Sequence, residues 1–121
     1  MIGIGNDLVD IDRFRRVLER TPSLRDRLFT DAERAYADAR SDPTERYAVR
    51  FAAKEAVMKA LGVGLGEITL RDIEVVRAES GAPQIVLHGS AATLAAARGV
   101  SRWLVTLSHS ATVAQAIVVA L

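Results

Sequence analysis

Cysteine is absent from the 121 residues, which removes disulfides, thiolate nucleophiles and thiolate metal ligands together. An excess of either charge is missing too. Sixteen basic and fifteen acidic residues leave a net charge of +1, so no global field points to nucleic acid or to a membrane surface, and electrostatic recognition has to be local. No apolar run approaches the roughly 18 residues that span a bilayer, and the N-terminal MIGIGND lacks a basic segment leading into an apolar one. A cytoplasmic location is the expectation. Linkers, low-complexity tracts and short repeats are also lacking, and residues 1–121 are expected to form one domain. Histidine is scarce: His88 precedes a helix start as a surface loop residue, and His109 sits in a hairpin turn. Ser108 and His109 are adjacent and would point to opposite faces of a strand, which leaves no support for a hydrolytic triad.

Half of the residues are hydrophobic, enough for a chain of this length to bury about two-thirds of its unfolded surface. Residues 1–9 alternate Ile2, Ile4, Asn6 and Leu8 with Gly3, Gly5, Asp7 and Val9, a strand period whose glycines let another backbone come close. Asp10 or Asp12 can cap a helix running to Arg20, which carries Arg13, Arg16 and Arg20 as a basic stripe, either a solvated face or a docking surface for something acidic. After Thr21-Pro22, residues 24–29 read as a short helical turn. Thr30 and Glu33 have the spacing of a capping box for a helix from Asp31 to about Arg40. Pro43 fits the first position of a long helix that runs to about Leu61 and that Asp42, with Glu45 three residues on, can cap, and Gly62, Gly64 and Gly66 follow as a loop. Residues 73–77 and 84–87 form a predicted hairpin, Ser90 caps an Ala-rich helix that Gly99 ends, and residues 102–108 and 112–121 form a second hairpin with VAQAIVVAL as a central strand. The class is α+β, with antiparallel pairs packed on the long helix.

That helix carries the chemistry. Glu55 and Lys59 are flanked by apolar residues, Ala48, Phe51, Ala52 and Met58 on their own side and Val49, Ala53, Val57, Ala60 and Leu61 opposite. A charge buried there costs several kcal/mol or more unless it is paired. Glu55 and Lys59 are i,i+4 partners, whereas Arg50 and Lys54 repel at the same spacing. Three cations with one carboxylate in the ten residues from Arg50 to Lys59 call for an anion. Glu55 has two readings, partner of Lys59 or, with Asp7 from the first strand, ligand of a divalent cation that keeps waters and shares substrate phosphates.

The segments Gly3-Ile4-Gly5-Asn6-Asp7-Leu8-Val9-Asp10-Ile11 and Phe51-Ala52-Ala53-Lys54-Glu55-Ala56, with Lys59-Ala60-Leu61-Gly62, resemble the two signature motifs of the 4′-phosphopantetheinyl transferases of the short holo-acyl-carrier-protein synthase type. Phe29-Thr30-Asp31-Ala32-Glu33, Asp72-Ile73-Glu74-Val75, Gly81-Ala82-Pro83 and Leu107-Ser108-His109 match further family segments in the same order, so the resemblance covers the whole chain. It implies that fold, and transfer of the phosphopantetheine arm of coenzyme A to a serine of an apo acyl carrier protein. By the same resemblance Asp7 and Glu55 would hold Mg²⁺, with Mn²⁺ as the alternative, and Glu55 or a water on the metal would be the base. Lys59 would contact the pyrophosphate, Arg50, Lys54 and His109 the nucleotide phosphates, and Gly62 would belong to the coenzyme A site. Arg13, Arg16 and Arg20 would dock an acidic carrier helix, and the unit would be a homotrimer with coenzyme A between subunits. A non-catalytic module that binds coenzyme A or another phosphorylated ligand is the competing reading, and it would not need the pair Asp7 and Glu55.

Overall fold

The computed structural model describes residues 1–121. Its centre is the helix α4, Thr44–Leu61, buried nearly all round and walled by strands β1, Gly3–Asp10, and β5, Val113–Ala120. Strand β4, Trp103–His109, completes an antiparallel sheet in the order β1-β5-β4, so the apolar VAQAIVVA run is indeed the central strand. A separate hairpin of β2, Ile73–Arg77, and β3, Pro83–Leu87, packs on the other side of α4. Helices α1, Ile11–Arg20, α2, Leu24–Leu28, α3, Asp31–Asp38, and α5, Gly89–Ala97, surround this core. No helix is long and apolar enough to cross a membrane.

Glycine decides how closely β1 lies on α4. A Cβ on Gly3 would sit 1.9 Å from the Ala60 carbonyl oxygen, and one on Gly5 would sit 1.8 Å from that of Ala56. Only a strand with no side chain at these positions can rest directly on a helix of alanines, as the sequence pattern led us to expect. The alternation has a second consequence. Gly5, Asp7 and Val9 face the helix, so Ile4, Leu8 and their cross-strand neighbours face outward.

Local capping follows the sequence in part. Asp10 accepts from Arg13 N at 2.8 Å, and Thr30 and Glu33 form the expected capping box. Gly62, at φ 69°, ends α4 in a Schellman turn in which Gly62 N donates to Lys59 O and Val63 N to Met58 O. Ser90 does not cap α5 with its own side chain. The helix start is held instead by Asp72, whose Oδ2 accepts from both Ser90 N and Ser90 Oγ.

Candidate functional site

Strand β1 and helix α4 bring the two carboxylates of the sequence motifs to one place. Asp7 and Glu55 line a cavity of about 540 Å³ whose wall is otherwise mostly apolar, with Phe14, Val17, Leu24, Leu28 and Phe51 among its residues. Lys59 Nζ donates to Asp7 Oδ1 at 3.0 Å and to Asn6 O at 2.9 Å, and its side chain is still 54% exposed. The i,i+4 pairing of Lys59 with Glu55 is therefore not the one the structure makes. Glu55 is half-buried with no hydrogen-bonding partner or ion pair. Burial first, and then the Asp7 charge, hold its carboxyl above the usual range, against an opposing pull from Lys59.

A carboxylate left without a donor beside a second carboxylate is a cation-seeking arrangement. Asp7 and Glu55 fit a hard divalent ion, whose ligands are oxygens. No group of three or more histidine, cysteine, aspartate and glutamate side chains is placed to hold a metal ion, so an ion on Asp7 and Glu55 would draw the rest of its shell from waters and a phosphate, as Mg²⁺ does.

Arg50 and His109 lie elsewhere. They line a second cavity of about 340 Å³, which shares no residue with the first and is rimmed by Tyr36, Arg40, Glu45, Arg46 and Arg77. On α4 the step from Arg50 to Glu55 is about 140° around the axis, which turns the two side chains to different walls. Arg50 is only 5% exposed, its Nε has no partner, and its Nη1 donates to Arg46 O at 3.3 Å. Burial draws its guanidinium below the ordinary value. Arg46, Arg50 and Arg77 form no ion pair, and Glu45, the one acid of this cavity, is engaged at its rim by His109 Nε2 at 3.3 Å and by Arg40 at 3.6 Å. The cavity is thus cationic, with its charged side chains drawn chiefly from α4, β2 and β4. Arg46, Arg40 and Arg77 were not singled out from sequence, although Arg46 and Arg50 are four apart on one helix and could have been paired by periodicity.

One sequence expectation needs correction. Lys54 was placed among the phosphate contacts, but it is fully buried. Its Nζ donates to Glu33 Oε1 at 2.8 Å, to Leu70 O at 3.1 Å and to Ile73 O, which uses all three donors inside the core. Burial lowers its pKa, and Glu33 opposes that shift. Gly62, expected in the coenzyme A site, commits its amide to the helix cap, and a ligand there would meet its Cα or carbonyl.

Helix α1 presents Arg13, Arg16 and Arg20 exposed and free of carboxylates. Arg15 alone is taken up, by Asp12 and Asp42. Arg13 also lines the carboxylate cavity, which ties the basic stripe to that site.

Comparison with known proteins adds the following. A family model described as the 4′-phosphopantetheinyl transferase superfamily matches residues 3–117. The chain is 49% identical over 109 residues to a holo-[acyl-carrier-protein] synthase of Moorella thermoacetica, covering 90% of this chain and 85% of that one. It is 46% identical over 120 residues to one of Salinispora arenicola, with 99% and 98% covered. Among solved structures, the holo-[acyl-carrier-protein] synthase of Neisseria meningitidis superposes with a TM-score of 0.91 at 31% identity, covering 100% of this chain and 99% of that one. That of Helicobacter pylori, in complex with coenzyme A, gives 0.86 at 30% identity, with 98% and 99% covered.

Proposed function

Because the chain belongs to the 4′-phosphopantetheinyl transferase superfamily, we propose that it transfers the 4′-phosphopantetheine arm of coenzyme A to a serine hydroxyl of an apo acyl carrier protein in the cytoplasm. The observation that carries this reading is the unpartnered Glu55 carboxylate next to the Asp7–Lys59 pair, at the edge of an apolar cavity. In the reaction the serine oxygen bonds to the phosphorus that carries the pantetheine. The bond from that phosphorus to the bridging oxygen breaks, and adenosine 3′,5′-bisphosphate leaves.

Asp7 and Glu55 would hold Mg²⁺, or Mn²⁺ in its place. When bound, the ion neutralises diphosphate charge and polarises the phosphorus under attack. The chain supplies the rest. Lys59, exposed on a long stem, can turn from Asp7 to a diphosphate oxygen and stabilise the charge that develops on the leaving phosphate. Glu55, or a water beside it, would accept the serine proton. Arg50 and His109, with Arg40, Arg46 and Arg77, take the phosphates at the nucleotide end. Arg13, Arg16 and Arg20 dock the acidic face of the carrier protein beside the cavity.

Two features support a homotrimer with coenzyme A held between subunits. The outer face of the sheet carries the rows Ile4–Val119–Leu104 and Asn6–Ile117–Thr106. With Ile2, Ile4, Leu8, Leu104 and Ile117 all exposed, it is an apolar patch of the kind that oligomers cover. The carboxylate cavity and the arginine cavity share no wall, so a ligand that used both would be met by two copies.

The test is to incubate the protein with apo carrier protein, coenzyme A and Mg²⁺, and to read the carrier by mass spectrometry. The phosphopantetheine increment is expected, and EDTA should abolish it. Coenzyme A binding with no increment in the presence of metal would overturn the transfer reading in favour of a binding module.

A further inference from the structure

The arginine cavity holds three like charges side by side. The guanidinium carbons of Arg46, Arg50 and Arg77 lie 3.9, 4.4 and 4.8 Å from the centroid of the Tyr36 ring. None of the three has a carboxylate partner. They come from two turns of α4 and the last residue of β2, whereas Tyr36 belongs to α3. Left to themselves the guanidiniums would splay apart into solvent. Tyr36 counters this in two ways. Its π-electrons attract cations within about 6 Å of the ring, and its backbone carbonyl accepts from Arg46 Nη1 at 2.6 Å. Helix α3 is itself fixed by the Thr30–Glu33 capping box and by the Glu33–Lys54 pair, so the ring is a rigid post.

We propose that Tyr36 is a positioning residue for phosphate recognition. It gathers Arg46, Arg50 and Arg77 before the ligand arrives, so that the cavity offers a preformed cationic site to a phosphomonoester dianion, which in coenzyme A is the 3′-phosphate. This rests on the cavity being the nucleotide end of the site. A phosphomonoester is favoured over the diphosphate because the diphosphate belongs with Asp7 and Glu55 of the other cavity and with Lys59, which is bonded to Asp7. Preorganisation of this kind raises affinity by removing the cost of ordering long side chains at binding.

The experiment is steady-state kinetics on the full-length protein with coenzyme A and with 3′-dephospho-coenzyme A, at saturating carrier protein. Tyr36→Met keeps the bulk and removes the ring. It should raise KM for coenzyme A roughly tenfold, and leave kcat and the KM for the dephospho substrate unchanged. Tyr36→Phe keeps the ring and should stay near wild type. Pentafluorophenylalanine at position 36 has nearly the shape of phenylalanine with the ring quadrupole reversed, so it should behave like Tyr36→Met with folding preserved. A Tyr36→Phe loss as large as that of Tyr36→Met, an equal rise in both KM values, or a wild-type KM with the fluorinated ring would each overturn the proposal. Failure of the underlying reading looks different: wild-type enzyme would then use coenzyme A and the dephospho form with equal KM.

Discussion

Lys54→Met separates a core role from a phosphate role. Lys54 and Glu33 are both fully buried, 2.8 Å apart, and the ammonium also holds the carbonyls of Leu70 and Ile73. Methionine fills similar space but strands the Glu33 carboxylate, and breaking a buried pair from one side costs about 3–5 kcal/mol. Glu33 keeps two backbone donors, Thr30 N and Val75 N, each at 2.9 Å, which places the loss near the lower end, about 3 kcal/mol. Against a total stability of about 5–15 kcal/mol this is large. With a urea slope of about 1.5 kcal/mol/M the unfolding midpoint should fall by about 2 M, measured at one protein concentration because assembly adds to apparent stability. Below the transition the folded variant should keep its KM for coenzyme A. Glu33→Gln retains a side chain able to close the capping box, and the double variant with Lys54→Met should lose less than the sum of the singles, by about 0.5–3 kcal/mol. The reasoning is refuted if Lys54→Met unfolds at the wild-type midpoint while KM for coenzyme A rises roughly tenfold, the cost of one charge-assisted hydrogen bond.

Glu55→Gln should abolish transfer and yet melt higher than wild type at neutral pH in EDTA. The folded carboxyl is held above its ordinary value, so the stability tied to its protonated form is complete below the unfolded value and is lost as pH rises through the folded one. Mg²⁺ should raise the Tm of wild type and leave that of Glu55→Gln unchanged, and equal metal shifts would remove Glu55 from the metal site. Gly5→Ala should cost upwards of about 3 kcal/mol, because its Cβ would fall 1.8 Å from the Ala56 oxygen; a wild-type melting curve by circular dichroism would contradict the strand–helix contact. Arg13→Glu should raise KM for the carrier protein far more than for coenzyme A, and equal effects would dismiss the docking stripe. If each site draws on two subunits, co-refolding Glu55→Gln with Arg50→Gln in equal amounts should restore about one quarter of wild-type activity, since three-quarters of random trimers are mixed and each of those has one intact site of three. Recovery no greater than the average of the two variants alone would count against a shared site.

What could be read from sequence was what local rules determine. The capping box and the glycine helix stop depend on neighbours within a few residues, the alternating glycines of β1 and the apolar run of β5 mark themselves within a single strand, and each appears where expected. The Asp72 cap of α5 spans eighteen residues, and the second job of Glu33, on Lys54 and Val75, spans twenty-one and forty-two. No periodicity reports such distances. Asp42 shows the boundary between the two cases. It does accept from Thr44 N, as expected, but Glu45, offered as its capping partner, turns instead to Arg40 and His109. Alternation in β1 gave the period of the strand and not its sense, so that Ile4 and Leu8 would face outward had no local signature.

Arg50, Lys54 and Lys59 of α4 read from sequence as one set awaiting one anion, and the fold divides them. Arg50 turns to the Tyr36 cavity, Lys54 is consumed in the core, and Lys59 stands on Asp7. An apolar helix cannot solvate its charges along its own surface, so each is drawn to whichever neighbouring element offers acceptors or open space. The division constrains the ligand. A compact anion would satisfy Arg50 or Lys59 but not both, because Arg50 lines one cavity and Lys59 is held by Asp7 of the other, and the two cavities share no residue. A ligand that uses both must be long and carry negative charge at two separated points, with an uncharged portion able to lie against Phe14, Val17 and Phe51. Coenzyme A has that order of parts: a phosphomonoester on the nucleotide, then a diphosphate, then an uncharged arm. The partition of charges along one helix thus selects for the shape of the substrate as well as for its charge.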